Sequence, residues 1–219
     1  MFHAIFRSFL LCGCLALGSA AEARVIFSDN FSAVPSARGL PFISPPGWMI
    51  GNNGWVELLG QCPGYNLPDL LPNNDCYIDL DGNSAFDYDA DPNNLFPPGL
   101  LLTSVYLSSG HIYELQFQLA GNQSTPFGDG VFVNFGEISG FIFVPPFDDF
   151  TTFTYYYSPQ VSGVYNLSFE NTNVDAFGAL LDNVVIIQSP APLPALGAAA
   201  AFGFCKKLRK RIRHLPPHR

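Results

Sequence analysis

Tyr113-Glu114-Leu115-Gln116-Phe117-Gln118-Leu119 exchanges apolar and polar side chains at every step. Side chains alternate between the two faces of a strand, so Tyr113, Leu115, Phe117 and Leu119 share one face and the polar residues the other. A helix would scatter both sets around its axis. The stretch reads as a half-buried β-strand with an apolar face to cover.

The same reading extends in both directions. Candidate strands fall at 25–27, 48–50, 55–59, 76–80 and 101–107, then 112–119 and 131–135. Further ones fall at 140–144, 150–157, 163–169 and 179–187. Phe153-Thr154-Tyr155-Tyr156-Tyr157 has the aromatic and β-branched bias of strands. Pro45-Pro46-Gly47, Asp81-Gly82-Asn83, Gly121-Asn122 and Ser162-Gly163 supply turn chemistry between them. About ten or eleven short strands, spaced roughly 8–12 residues apart, predict an all-β sandwich or jelly roll. No amphipathic helix longer than two turns is visible, and there is no internal repeat.

Charge divides the chain. Of its 219 residues, 10 are Lys or Arg and 18 are Asp or Glu, for a net charge of −8. Seven of the ten basic residues lie at 206–219, and none lies between Arg38 and Lys206. A body without Lys or Arg from residue 39 to 205 cannot neutralise a phosphate backbone, which argues against nucleic acid as a partner. No GxxxxGK[ST] motif is present to hold a nucleotide.

Both ends read as addresses. Residues 1–23 carry one Arg, an apolar run from Ser8 to about Ala20, and Ala21-Glu22-Ala23 as a small-x-small cleavage pattern. This is a signal peptide for Sec export. Leu11-Cys12-Gly13-Cys14 offers lipidation as an alternative. Export into an oxidising compartment makes Cys62 and Cys76 a predicted disulfide. Residues 24–188 form the ectodomain. Residues 189–219 hold Pro192, Leu193, Pro194 and Ala195, an apolar stretch to Cys205, and the basic cluster Lys206, Lys207, Arg209, Lys210, Arg211 and Arg213. The positive-inside rule keeps that cluster cytoplasmic, so the segment reads as a stop-transfer anchor helix. Its eleven apolar residues would span about 16 Å as a helix, against a hydrocarbon core of about 30 Å. A transient engagement with the inner membrane is expected.

The Pro-Leu-Pro-Ala motif, apolar run and basic cluster, in that order, resemble the PEP-CTERM sorting signal of exported proteins in Gram-negative bacteria. The resemblance implies processing by an exosortase-type membrane protease and a place on the cell surface or in the extracellular matrix. It also implies association with exopolysaccharide or biofilm. The tail departs from the family pattern in lacking a Glu between the prolines.

The body resembles PEP-CTERM ectodomains with a galactose-binding-like jelly roll. The segments that carry this are Ser28-Asp29-Asn30-Phe31, Gly54-Trp55-Val56-Glu57-Leu58 and Cys76-Tyr77-Ile78-Asp79-Leu80-Asp81-Gly82. Further ones are 115–122, 150–153, Leu167-Ser168-Phe169-Glu170-Asn171 and Gly178-Ala179-Leu180-Leu181-Asp182-Asn183-Val184. The resemblance implies a structural ion between the first and last strands, where Asp29 and Asp182 fall. Ser32 stands where the family has a Glu.

Several residues are candidates for ligand chemistry. Asp79, Asp81, Asp87, Asp89 and Asp91 crowd one loop region, and Asp87-Tyr88-Asp89-Ala90-Asp91 has the one-three-five spacing that begins an EF-hand. Pro92 and Pro98 break that motif, so Ca2+ would need a site of another shape; the alternative is a solvated acidic loop. Sugar faces stack on aromatic rings, which nominates Tyr65 and Tyr88 on loops and Trp48 and Trp55 in strand-like runs. Core packing is expected of at least one tryptophan. His111 is the body's lone histidine, placed in a turn, and zinc hydrolysis lacks ligands. The expected function is a non-enzymatic exported surface protein. The alternatives are a calcium-dependent carbohydrate-binding module and a small polysaccharide hydrolase.

Overall fold

A computed structural model describes residues 22–32, 46–52, 54, 56–62, 69–81, 99–173 and 177–189. The signal segment through residue 21, the sorting motif at 192–195 and the basic cluster lie outside the described residues. Among those described, no helix is long and apolar enough to cross a membrane.

Eleven strands are described, one for each predicted segment. They are β1 (Arg24–Asp29), β2 (Met49–Gly51), β3 (Glu57–Gly60), β4 (Cys76–Asp79), β5 (Leu100–Leu107) and β6 (Ile112–Ala120). They continue with β7 (Asp129–Phe135), β8 (Ile138–Val144), β9 (Thr151–Tyr157), β10 (Gly163–Asn171) and β11 (Leu180–Ser189). Boundaries move by at most two residues, and β7 and β10 lengthen because their polar ends Asp129 and Asn171 are fully buried and continue the ladder.

The strands form two antiparallel sheets. One has the order β3-β4-β11-β6-β9, with β1 also paired to β11; the other has the order β2-β5-β10-β7-β8. Their apolar faces meet as a β-sandwich. Tyr113, Leu115, Phe117 and Leu119 of β6 are all buried, as the alternation requires. Phe117 joins the layers. Its ring lies 5.0 Å from Phe169 of the opposite sheet, edge to face, and stacks 5.7 Å from Phe153 and 5.9 Å from Tyr155 of its own. Tyr155 also rests against Gly140, where any side chain would strike its ring and hydroxyl. That contact ties edge strand β8 to edge strand β9.

A satellite core of Leu59, Leu71, Tyr77, Ala120 and Leu180, with Leu70 and Phe150 against it, lies apart from the main one. The Tyr77 hydroxyl accepts hydrogen bonds from the N–H groups of Leu70 (2.7 Å) and Leu71 (3.1 Å). The Cys62–Cys76 disulfide closes the adjoining loop, with the Cα atoms 4.9 Å apart. In β11 the register shifts between Asp182 and Val185, and Asn183 takes a left-handed φ of 50°. Asn tolerates that conformation better than most residues, so the bulge falls where the sequence allows it.

Candidate functional site

The β7–β8 hairpin builds the most distinctive surface. Gly136, with φ 62°, is the first residue of its two-residue turn, as in a type II′ hairpin. Val131, Val133 and Phe135 point into the core, so Phe132 and Asn134 point out. On β8 the same alternation turns Ser139, Phe141 and Phe143 outward. The register sets Phe132 opposite Phe141, with ring centroids 5.2 Å apart. Phe132, Phe141 and Phe143 are 43%, 56% and 61% exposed. A side chain at Gly130 would collide with the Phe141 ring and the Thr172 hydroxyl, and one at Gly128 with the Phe143 ring. These glycines are the slots that let both rings lie against the sheet.

Polar groups stand beside the rings on the same face. Glu170 of β10 is in register with Phe132, and its carboxylate accepts from Asn52 Nδ2 at 2.8 Å. Ser168 of β10 pairs with Asn134, whose Nδ2 donates to its hydroxyl at 3.2 Å. Ser104 of β5 donates to Asn166 Oδ1 at 2.8 Å. The result is an aromatic platform bordered by amides, hydroxyls and one carboxylate. The sequence between Arg38 and Lys206 offers no Lys or Arg to this face.

The residues nominated from the sequence fall elsewhere. Trp48 is 4% exposed and packs on Phe27, Phe31 and Phe169, so it takes the core role and presents no stacking face. Trp55, Tyr65, Tyr88, Asp87, Asp89 and Asp91 lie outside the described residues. Asp79 is buried and works as a staple. Its Oδ1 accepts from the N–H groups of Asp81 and Gly178, both at 2.9 Å, which fixes the chain before β11. Burial drives the Asp79 carboxyl well above the usual range; those two bonds oppose the rise, and the Asp81 and Glu57 charges add to it. Glu57, opposite Asp79 in the β3–β4 register, is also pushed up by burial.

Asp29 and Asp182 do come near one another, where the first and last strands pair. Both Asp29 oxygens are engaged: Oδ1 by Phe31 N–H at 2.7 Å and Oδ2 by Trp48 Nε1–H at 2.8 Å. Asp182 accepts from Asn183 N–H at 2.6 Å and from Asn183 Nδ2 at 2.9 Å. Burial, with the Asp75 and Asp29 charges added, raises the Asp182 carboxyl to about 7 against the bond from Asn183 N–H. Among the described residues, no three His, Cys, Asp or Glu side chains are grouped to hold a metal ion. His111 lies beside Tyr113, and its buried Nδ1 has no hydrogen-bond partner among the described residues, so no described carboxylate orients the ring through that nitrogen.

Sequence reasoning missed Phe132, Phe141 and Phe143. The available signal was Phe141-Ile142-Phe143 following Ser139-Gly140, with Gly128 and Gly130 upstream. Small residues beside aromatics mark places where rings can lie flat.

No family model and no curated protein matches the sequence. Among solved structures, the chain is similar to the K3 cleaved adhesin domain of Lys-gingipain from Porphyromonas gingivalis W83. Identity is 14% and the TM-score 0.48, over 76% of this chain and 99% of that one. It is also similar to the CBM22-1–GH10 modules of xylanase 10B from Clostridium thermocellum (13%, TM-score 0.45, 78% of this chain and 29% of that one). A family 35 carbohydrate-binding module from the same organism is a further neighbour (12%, TM-score 0.37, 64% and 90%). The chain thus spans under a third of the xylanase chain and most of the other two. These likenesses are loose, and nothing about ligand or activity passes from them to this chain.

Proposed function

We propose that this chain is a non-catalytic, exported β-sandwich that binds a polysaccharide on the outer face of its five-stranded sheet. The observation that carries the reading is the exposed Phe132–Phe141–Phe143 platform beside Asn134, Ser168, Asn166 and Glu170. Sugar rings stack their C–H faces on aromatic rings, and neighbouring amides and carboxylates take the hydroxyls. Without Lys or Arg, the face favours a neutral glycan over an acidic one. The interleaved strand order supports reading the sandwich as a jelly roll of the galactose-binding-like kind. The Cys62–Cys76 disulfide supports a place outside the cytoplasm.

Affinity electrophoresis through gels containing xylan, galactomannan, mixed-linkage β-glucan or alginate tests this. At least one neutral gel should retard the protein and alginate should not. Phe141→Ala should weaken retardation at least about tenfold, roughly 1.4 kcal/mol, with the fold unchanged. No retardation on any gel, or equal retardation of the variant, would defeat the reading.

Two further parts of the proposal rest on sequence alone. Processing of the tail by an exosortase-type protease predicts that the exported protein lacks residues 196–219. Intact mass decides this, and a retained tail contradicts it. The second part is a calcium ion held by the acidic segment that carries Asp79, Asp81, Asp87, Asp89 and Asp91. EDTA should then lower the melting midpoint, and an unchanged midpoint removes the ion.

A further inference from the structure

We infer that the sugar-binding face carries a second aromatic station at Tyr106, and that one glycan chain lies obliquely across the sheet from Phe132 to Tyr106; this rests on reading the Phe132–Phe141–Phe143 surface as a glycan platform. On β5 the even-numbered residues face outward, and the register sets Tyr106 opposite Val164 of β10. These two are 64% and 70% exposed. The platform lies on the same face, because Glu170 of β10 stands opposite Phe132. From Glu170 to Val164 is six positions along β10, or about 20 Å for an extended strand. Phe132 and Tyr106 lie on opposite sides of β10, which sets them about 10 Å apart across the strands. The two ring sites are therefore separated by roughly 22 Å.

Between the stations the face is short and polar. Ser168 stands opposite Asn134, and Ser104 opposite Asn166. One hydrogen bond joins each pair and fixes its amide. Asn134 uses Nδ2 on the Ser168 hydroxyl and keeps Oδ1 as an acceptor. Asn166 uses Oδ1 on the Ser104 hydroxyl and keeps Nδ2 as a donor. No charged side chain stands on this face of β5, β10 or β7 between the row of Glu170 and the row of Val164.

That order of ring, acceptor, donor and ring selects an extended neutral sugar chain. The apolar faces of its rings suit both stations, and its hydroxyls donate to Asn134 and accept from Asn166. A flat apolar partner would instead bury both amides without bonds. A pyranose advances the chain by roughly one strand spacing, so the span takes about four or five sugars. A short oligosaccharide reaches one station only. A longer one engages the second intramolecularly and binds more tightly, with no added contact at the platform.

Competition in affinity gels of the full chain tests this, with size fractions of xylan, galactomannan and mixed-linkage β-glucan as competitors. On the gel that retards the protein, the hexasaccharide fraction should release it at a concentration at least about tenfold below that of the trisaccharide fraction. Tyr106→Ala should abolish that difference and leave the trisaccharide unchanged, whereas Tyr106→Phe should keep most of it. Tyr106 faces solvent, so neither substitution removes a core contact. Phe141→Ala should weaken both fractions. Equal release by the two fractions, or a difference that survives Tyr106→Ala, overturns the second station, and the platform still stands where Phe141→Ala weakens retardation. No retardation of wild type on any neutral gel overturns both.

Discussion

Asp182 lies beside the β11 bulge, buried, with Asp75 and Asp29 near enough to add their charge. Its carboxyl is raised to about 7 from 3.8, so the folded state holds the proton more tightly than the unfolded chain does. The stability this provides is fully present below about pH 4 and is lost as pH rises through about 7. Asp182→Asn removes that dependence. The variant should melt higher than wild type at pH 8, with the gap shrinking toward pH 5, as read by thermal denaturation at both pH values. Parallel profiles would refute the assignment. That Asp29 and Asp182 lie on the first and last strands was legible from the chain, through the resemblance of those segments. The donors that occupy both carboxylates were not, because Trp48 Nε1 reaches Asp29 across nineteen positions. The aromatic platform was hidden for a different reason. Val131-Phe132-Val133 and Phe141-Ile142-Phe143 are continuous apolar runs, and without the register nothing says which ring faces water.

The loop between β3 and β4 shows how a short element acquires stability of its own. The disulfide spans fourteen residues, and the chain-entropy model gives about 3 kcal/mol for such a loop. The satellite core and the two N–H bonds to Tyr77 act on the same segment. Replacing both cysteines with Ser should cost about 2–4 kcal/mol in urea unfolding, and proteolysis should then cut near residues 69–75 first. A loss below ~1 kcal/mol would mean that the Tyr77 cluster alone holds the loop. The cysteine pair was readable from export and parity. Tyr77 was not, because a hydroxyl that accepts from a loop seven residues away leaves no periodic trace. The strands themselves were readable wherever alternation or a turn marked them. Their ends were not, because buried Asp129 and Asn171 look like loop residues in the sequence.

At the scale of the molecule, charge works against compactness. The body of residues 24–188 holds two Arg against seventeen acids, a formal charge of −15, and most of its carboxylates lie outside the core, where salt screens them. Raising ionic strength from about 0.01 M to 0.15 M shortens the screening length from about 30 Å to about 8 Å. The melting midpoint at pH 8 should rise over that range; a flat or falling midpoint would show that the charges are already compensated. The two-sheet plan followed from alternation and turn spacing. The order of strands within each sheet did not, because pairing partners such as β5 with β10 lie about sixty positions apart. One contact between the layers reaches beyond stability. Because the Tyr155 ring fills the space over Gly140, even a methyl group at position 140 would push the two sheets apart along that border. An edge strand with every second side chain turned to solvent is thus fixed in sequence at one inward position, and divergence among relatives should spare this glycine while altering the faces on either side.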